Sequence, residues 1–313
     1  MRRLQHERGM ALLLVLVVIA LLTSLLSEFA FSTLVDLRLT ETFRDRTGAY
    51  YLARGGVEAG RIILRLDTNN YDHPEELWGQ GVPSYPAGEG TVSIEIEDLS
   101  GRLNLNRIVD NRGNKQVSYH RFVALCEEVL ALSTAEADEL ATSLGDWLNA
   151  DPQFTSADDS YYLQQQPPYS RKAGTLDAVE ELNLVRGFDA DRVEELSPYL
   201  RVFGDSNLNI NTASADILYA WQMSAAAGNV QIILDSEDIQ SIIEYRDQQP
   251  LEALGDLAKV DGFDQNWLSA WQNATVAGTV YRIRSEGQVN QGIRVAEAVV
   301  LKQGNRMLSL RVE

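Results

Sequence analysis

The sequence predicts an α+β protein in which a long N-terminal helix packs on an antiparallel sheet, and a large all-α insertion interrupts that sheet. Three patterns predict this architecture. A charge-free apolar run at the N-terminus continues into residues at helical spacing, segments of alternating apolar and polar residues occur on both sides of the chain's middle, and the middle itself is mostly helical. With 313 residues, the chain is long enough for more than one domain.

The N-terminal run is long enough to cross a membrane. Gly9 to Ser27 contains 19 residues without a charge, or about 28 Å of helix. The preceding residues carry three arginines and one glutamate, and this net +2 favours a cytoplasmic N-terminus. Three interpretations compete: a cleaved secretory signal, an uncleaved signal anchor, and a leader cut at Gly9 that leaves the apolar helix in the mature chain. No small-residue cleavage site follows the run, which disfavours the first.

Helical spacing continues beyond the membrane run. From Val35 to Leu64, apolar and small residues recur at steps of three and four, so the helix should end near Leu66 and pack one face on a globular head. Three glycines in this stretch each weaken the helix by about 1 kcal/mol relative to alanine. We interpret these glycines as positions of close helix-to-sheet contact, with a helix break near the first of them as the alternative. They are Gly55, Gly56 and Gly60.

Alternating segments predict the strands. Residues 67–90 are rich in glycine and proline and are predicted to form a loop. The next segment, TVSIEIEDLSGRLNLNRI, alternates around Ser100 and Gly101 and predicts a hairpin there. Near the C-terminus, TVYRIRSEG, GIRVAEAVVLKQG and MLSLRVE predict three further strands.

The helical middle, residues 118–274, contains a repeat. TLDAVEELNLVRGFD and PLEALGDLAKVDGFD lie 75 residues apart, and LNLN at 103–106 is echoed by LNIN at 208–211, so each helical module should follow a short extended segment. The shared unit resembles a helix-hairpin-helix turn of sterile-alpha-motif-like modules. Such turns often bind DNA, but here Gly187 and Gly262 are flanked by aspartates, and the chain's net charge of −18 would repel phosphate. We therefore expect no nucleic-acid partner.

The order of several motifs resembles a known family. A short basic leader that ends in glycine, an apolar stalk, AYYLARGGVEAG, LSGRLNLN, DWLNAD, EELNLVRGF and LNINTASADIL occur together along nearly the whole chain. The sequence is thus similar to type IV pilin-like proteins, and specifically to minor pseudopilin K of type II secretion, the general secretion pathway protein K family. The resemblance implies that prepilin peptidase cuts between Gly9 and Met10 and that Met10 becomes methylated. It also implies a tip subunit, because the fifth mature position is Leu14, where most pilin-like subunits carry a glutamate.

The resemblance predicts six segments, which combine a pilin core with two sterile-alpha-motif-like modules. They are a prepilin leader (1–9), the transmembrane part of the helix (10–27), the rest of the core helix with a loop and a first hairpin (28–111), a first helical module (112–204), a second helical module (205–275), and C-terminal strands that complete the sheet (276–313).

The function that the resemblance implies is assembly rather than catalysis. The protein is expected in the bacterial inner membrane as a single-pass protein with a periplasmic head, where it initiates and caps the pseudopilus that drives protein export across the outer membrane. Its expected partners are the I and J minor pseudopilins and the major pseudopilin, with secreted substrates or the outer-membrane secretin as further contacts. Two alternatives are a tip-type minor pilin of a type IV pilus and a signal-anchored periplasmic hydrolase built from dispersed carboxylates.

An acidic loop is the candidate metal site. The segment DWLNADPQFTSADDSYY offers hard oxygen ligands, which calcium prefers, although the spacing departs from the EF-hand pattern. A solvated acidic loop is the alternative, while the resemblance to calcium-stabilised pseudopilins favours structural calcium. The first-choice ligands are Asp151, Asp158 and Asp159, and the secondary ones are Asp146 and Asn149.

Catalytic signals are weak. The chain has three histidines and one cysteine, and it contains no nucleophile elbow, P-loop or zinc-protease motif. Cys126 stands at helical spacing and is predicted to be a buried small apolar residue. Four tryptophans are predicted to lie in the core rather than at interfaces. They are Trp147, Trp221, Trp267 and Trp271.

Overall fold

The computed structural model describes residues 4–221, 234–263 and 271–313, with side chains from Met10 onward. Eight helices and nine strands lie in these ranges. The helices are α1 (Leu4–Leu66), α2 (Leu77–Gln80), α3 (Val117–Leu130), α4 (Thr134–Leu148), α5 (Asp159–Leu163), α6 (Ala190–Leu196), α7 (Ala215–Trp221) and α8 (Ser236–Gln248). The strands are β1 (Val82–Ala87), β2 (Gly90–Asp98), β3 (Leu103–Asn104), β4 (Leu200–Arg201), β5 (Leu208–Asn209), β6 (Ala274–Thr275), β7 (Val280–Val289), β8 (Gly292–Leu301) and β9 (Arg306–Val312).

The predicted fold class is confirmed. Helix α1 packs on a five-stranded antiparallel sheet with the order β1-β2-β7-β8-β9. The helical insertion lies between β2 and β7 and has its own hydrophobic core, separate from the core between α1 and the sheet. Helix α1 is continuous from Leu4 to Leu66, so it ends where the spacing predicts, and the alternative of a break near Gly55 is wrong.

The predicted hairpin at Ser100 and Gly101 is wrong. The first hairpin is β1-β2, one strand earlier, and β1 lies in the segment that was predicted to be a loop. After β2 the chain makes a short 3₁₀ turn and leaves the sheet, because Leu103 pairs in parallel with Leu200 of the helical insertion. The prolines of β1 made its segment look like a loop in the sequence. The structure tolerates them because β1 is an edge strand, where a missing backbone N–H breaks no ladder hydrogen bond.

The helical insertion lies at the end of the sheet that is farthest from the membrane run. Gly48 of α1 lies against Val289, whereas Gly60, further along the helix, lies against Ile283. The sheet end near residue 281 is therefore the distal end. Asp98, where the chain leaves the sheet for the insertion, pairs there with Tyr281.

Equivalent elements occur twice along the insertion, at the positions of the sequence repeat. Strand β3 lies just before the predicted first module and pairs in parallel with β4 near the end of that module, and β5 and β6 pair in the same way at the two ends of the second. The sequence repeat forms matching 3₁₀ segments, Val179–Leu184 and Leu254–Lys259. Each is followed by a glycine with positive φ, 91° at Gly187 and 82° at Gly262. The proposed module boundaries themselves stay a prediction.

Candidate assembly surface and head sites

The N-terminal half of α1 is an apolar helix with no packing partner in the described chain. Met10–Leu66 is long and apolar enough to cross a membrane. From Met10 to Leu39 its large apolar side chains are 40–73% exposed, and Leu14 is 67% exposed. At about 25 cal/mol per Å², each such side chain gains about 1.5–3 kcal/mol on full burial. This surface therefore needs lipid or other helices around it.

The apolar surface continues beyond the membrane run. Glu28 is the first charged residue after that run, yet large exposed apolar residues persist as far as Phe43, about 22 Å further along the helix axis. They are Phe29, Phe31, Leu34, Val35, Leu37, Leu39 and Phe43. A bilayer does not reach the upper part of this stretch, so we define residues 29–43 as the upper stalk surface, a surface that suits neighbouring helices.

Small residues dock the C-terminal half of α1 on the sheet. A Cβ atom on Gly56 would overlap Ser285 Oγ, and one on Gly60 would lie 2.7 Å from Ile283 Cγ2. The prediction of close helix-to-sheet contact is thus confirmed for these two glycines. It is wrong for Gly55, whose Cβ position is open.

The predicted processing residues lie inside α1. The helix begins at Leu4 and runs through Gly9 and Met10 without interruption. Cleavage after Gly9 would leave the whole apolar stretch in the mature chain, and it would give that chain a net charge of −20, because the leader carries +2. Cleavage between Gly9 and Met10 stays a prediction.

Polar groups join the distal end of the sheet to the second module. The carboxylate of Asp98 is buried and accepts hydrogen bonds from the Asn209 amide and the Thr212 hydroxyl, each at 2.8 Å, and from the Ser100 backbone N–H. Burial raises the pKa of Asp98, and these three donors oppose the shift. The Asn209 amide also donates to the backbone carbonyl of Asp72 at 3.0 Å. We define this group as the junction.

An ion cluster extends the junction towards the segment after α1. Lys302 Nζ lies 2.8 Å from Asp67 Oδ2 and 2.6 Å from Asp72 Oδ1. Oxygens of Asp67, Asp72 and Glu76 lie within 4.8 Å of one another, a spacing that could suit a metal ion. However, the Lys302 ammonium already pairs with two of these carboxylates and balances one of the three negative charges. Burial raises the pKa of Asp72 to about 6, although Lys302 opposes the shift.

One asparagine in each module joins distant parts of the backbone. The Asn106 amide donates to the carbonyls of Leu176 and Val202, and the Leu176 N–H donates to Asn106 Oδ1 at 2.7 Å. In the second module, the Asn211 amide donates to the Leu251 carbonyl, and the Leu251 N–H donates back at 3.1 Å. We call these residues the asparagine clamps. Sequence reasoning missed their role, although the LNLN and LNIN echo was the signal that could have found them.

Buried Arg121 was also missed. Its guanidinium lies 3.7 Å from the centre of the Trp221 ring and donates to the backbone carbonyls of Trp221 and Gln272. Burial lowers its pKa to about 9. Because Arg121 stands in an otherwise apolar helical pattern, its own segment carries no signal of these carbonyl partners.

Three of the five predicted calcium ligands converge around Ser156. The Ser156 hydroxyl donates to Asp146 Oδ2 at 2.6 Å, the Ser156 N–H donates to Asp159 Oδ2 at 3.1 Å, and the Asp158 N–H donates to Ser156 Oγ at 3.0 Å. Burial raises the pKa of Asp146, and the charges of Asp158 and Asp159 add to the shift. The charges of Asp158 and Asp159 thus add to the proton affinity of Asp146, and a cation beside Asp146 would offset them.

The other two predicted ligands shape the turn. Asn149 Oδ1 accepts from the Asp151 N–H and Asp151 Oδ1 accepts from the Gln153 N–H, both at 2.9 Å. Arg171 reaches into the same loop, where it pairs with Asp159 at 3.2 Å and donates to the Asn149 carbonyl at 2.7 Å. Asp158 pairs with Arg186. These arginines neutralise part of the acidic charge, and calcium binding stays a prediction.

The remaining predicted residues lie in the core or in caps. Cys126 is buried, which raises the pKa of its thiol to about 12, so it is a poor nucleophile. Trp147, Trp221 and Trp271 are buried, which confirms the expectation of core aromatics, while Trp267 lies outside the described residues. Beside the hairpin turn, Asp189 caps α6 by accepting from a backbone N–H.

Comparisons with known proteins agree with this architecture. A family model described as type II secretion system (T2SS), protein K, matches residues 101–205. Type II secretion system protein K of Pseudomonas aeruginosa is 29% identical over 272 residues, which cover 83% of this chain and 78% of that protein. The protein of that name from Klebsiella pneumoniae is 31% identical over 223 residues, which cover 67% of this chain and 68% of that one.

A solved structure shares the fold. A chain of the crystal structure of the GspK-GspI-GspJ complex from the enterotoxigenic Escherichia coli type 2 secretion system matches with a TM-score of 0.69 and 18% identity. The match covers 89% of this chain and 99% of that one.

A long apolar helix that continues into the helix packed on an antiparallel sheet defines a membrane-anchored, pilin-like subunit. Within this class of pilin-like subunits, the helical insertion and the similarity to known relatives identify the family. The chain belongs to the type II secretion system protein K family, and its function is that of a minor pseudopilin.

Proposed function

We propose that the protein occupies the tip of the type II secretion pseudopilus, where it initiates and caps assembly. The observation that carries the proposal is the position of the helical insertion at the end of the sheet farthest from the membrane run. A subunit with this bulk above its core has little room for another subunit stacked on its distal end.

Leu14 supports the same position. An uncompensated buried charge costs several kcal/mol, so a carboxylate in the apolar helix is tolerated only beside a partner charge. The fifth position of the expected mature chain is apolar, and its side chain is exposed in the single chain. A subunit with no neighbour above it has no partner charge for a carboxylate at this position. Leucine therefore avoids the cost of an unpaired buried charge there.

The upper stalk surface supports assembly with other helices. We propose that it packs against the stalk helices of the I and J minor pseudopilins and then of the major pseudopilin. The solved relative is described as a complex of GspK, GspI and GspJ, which agrees with this choice of partners. The protein is then a single-pass component of the bacterial inner membrane, with its head in the periplasm. Prepilin peptidase is its processing enzyme.

The role is structural rather than catalytic, and structural calcium in the acidic loop belongs to the same proposal. Membership in a family of secretion-system components supports this choice over a signal-anchored hydrolase and over a minor pilin of a type IV pilus. Distal contact with secreted substrates or with the outer-membrane secretin follows from the tip position.

A co-purification experiment tests the assembly proposal. The full chain is co-expressed with the I and J pseudopilins of its own secretion system and extracted in detergent. Replacing Phe31, Leu34 and Leu37 by serine should strongly reduce the recovery of both partners, because these side chains lose apolar contact area. The matched control replaces two exposed apolar residues of the head, Leu163 and Leu184, by serine and should keep full recovery. Equal recovery from both variants would contradict the proposal.

A further inference from the structure

Gly55 serves no packing contact within the described part of the chain. It lies on the exposed side of α1. Apart from its own turn of helix, no described atom lies within 4 Å of the position that a Cβ on Gly55 would take. Glycine weakens an exposed helix interior relative to alanine, so this position lowers helix stability with no return inside the fold. A close contact with another molecule would explain it.

Three large exposed side chains share this side of α1. Tyr51 precedes Gly55 by four residues, and Ile62 and Leu66 follow it by seven and eleven, which places all four positions on one side of the helix. Tyr51 is 66% exposed, Ile62 45% and Leu66 67%. We define these four residues as the head seam, which is about 22 Å long. Gly55 leaves a notch in it between Tyr51 and Ile62.

Arginines beside the head seam are held by other side chains. Arg61 Nη1 donates to both carboxylate oxygens of Glu58 at 2.8 Å. Arg54 Nη1 donates to the Tyr50 hydroxyl at 3.2 Å. The centre of the seam therefore offers apolar contact rather than charge, and its occupant should be apolar as well.

The head seam continues the upper stalk surface. Leu37 lies 18 residues before Gly55, or about five helical turns, so both positions face the same side of α1. Tyr51 lies about 36 Å beyond Ser27 along the helix axis, so the hydrocarbon around the membrane run does not reach it. The occupant is therefore protein, and a helix that runs beside α1 would contact both surfaces.

We propose that the head seam packs against the stalk helix of a neighbouring pilin-like subunit, with a large apolar side chain of that helix seated over Gly55. The inference rests on the proposed assembly and adds the contact that fixes the axial position of the neighbouring helix beside this head. Any side chain at position 55 would fill the notch and hold the two helices apart.

Substitutions at Gly55 separate association from stability. The full chain is co-expressed with the I and J pseudopilins of its own secretion system and extracted in detergent, and the recovery of each partner is measured. Gly55→Leu should reduce the recovery of at least one partner by about tenfold, because the added side chain overpacks the contact. The melting temperature of the variant chain alone should equal or exceed that of the native chain.

Gly255→Leu is the matched control. Gly255 lies in the 3₁₀ segment Leu254–Lys259, is exposed, and has an equally open Cβ position. This variant should keep native recovery of both partners. Equal losses from the two leucine variants would overturn the proposal. So would a fall in the melting temperature of the Gly55→Leu chain alone, because position 55 would then act inside the fold.

The outcomes also separate the head seam from the wider assembly proposal. Full recovery with Gly55→Leu, together with loss on substitution of the upper stalk surface, would overturn the head seam alone. Failure of the native chain to recover either partner would overturn both proposals. Light scattering that shows a dimer of the chain alone, broken by Gly55→Leu, would assign the seam to a second copy and overturn the choice of partner.

Discussion

Single asparagines organise the helical head. In each module one asparagine amide, half-buried at Asn106 and buried at Asn211, both donates to and accepts from the backbone of a leucine that lies far away in the sequence. An amide suits this task because it carries a donor and an acceptor on one short side chain. The clamp therefore fixes where the helical hairpin turn meets the start of its module.

Replacing Asn211 by alanine should destabilise the head by about 2–3 kcal/mol, because the buried Leu251 N–H and C=O lose their partner. Thermal unfolding of the full chain in detergent measures the effect. The control is Asn183→Ala, since Asn183 is exposed and bonds only to a local carbonyl, and it should cost little. Equal losses in the free energy of unfolding for the two variants would contradict a stabilising role for the Asn211 clamp.

Neighbouring glycines of α1 should respond in opposite ways. Gly56→Ala pushes a methyl group into Ser285 and Val92 and should cost about 1–3 kcal/mol. Gly55→Ala faces open space and should be neutral or stabilise the helix by up to about 1 kcal/mol. Unfolding curves of the two variants measure the difference, and a stabilising Gly56→Ala would contradict the close contact.

The junction should make stability depend on pH through Asp72. Its folded pKa of about 6 lies above the ordinary carboxyl value, so between these values the folded state holds a proton that the unfolded state has lost. The contribution of Asp72 to the free energy of unfolding is therefore full below the ordinary value and is lost as pH rises through about 6. The loss should be about 1–3 kcal/mol. Lys302 titrates far above this range.

Urea denaturation across this pH range tests the assignment. Asp72→Asn removes the titrating group, so the free energy of unfolding of the variant should vary less with pH than that of the native chain. Asp98 is retained, and its raised pKa leaves a remaining slope of the same sign. Parallel pH profiles for the two proteins would exclude Asp72 as a source of the dependence.

At the scale of elements, regular hydrophobic periodicity explains what the sequence could predict. Helix α1 and the three C-terminal strands follow patterns that persist over most of their length, so their positions were predicted well. The first hairpin was misplaced for a local reason: β1 has prolines that a central strand would not tolerate, and only its edge position explains them.

Contacts between distant elements left no local pattern. The junction and its ion cluster bring together side chains from the segment after α1, from β2, from β5 and from the β8-β9 connection, which lie up to 235 residues apart. Each is an ordinary polar residue in its own segment. Their burial follows from the tertiary arrangement, which the sequence of one segment does not contain.

The acidic loop is the element on which calcium should act. Millimolar calcium added to the full chain should raise its melting temperature, because an ion that binds only the folded state stabilises it. Asp158→Asn combined with Asp159→Asn should abolish the shift, whereas Asp191→Asn, on an exposed part of α6, should keep it. No shift in the native protein would contradict a calcium site in this loop.

At the scale of the whole molecule, one helix serves two environments. Its first half is apolar on all sides and exposed, while its second half is buried along the face that contacts the sheet. The head then places its helical modules at the far end of the molecule. The chain's net charge of −18 comes from its head, whereas the exposed apolar first half of α1 needs a membrane and neighbouring helices around it.

The mass of the mature N-terminus tests the central claim most directly, since assembly requires the stalk helix to remain in the processed protein. Mass spectrometry of the protein purified from bacterial membranes measures it. We predict a chain that begins at N-methylated Met10. A chain that begins at Met1, or one cut near residue 30 so that the apolar helix is lost, would contradict the account.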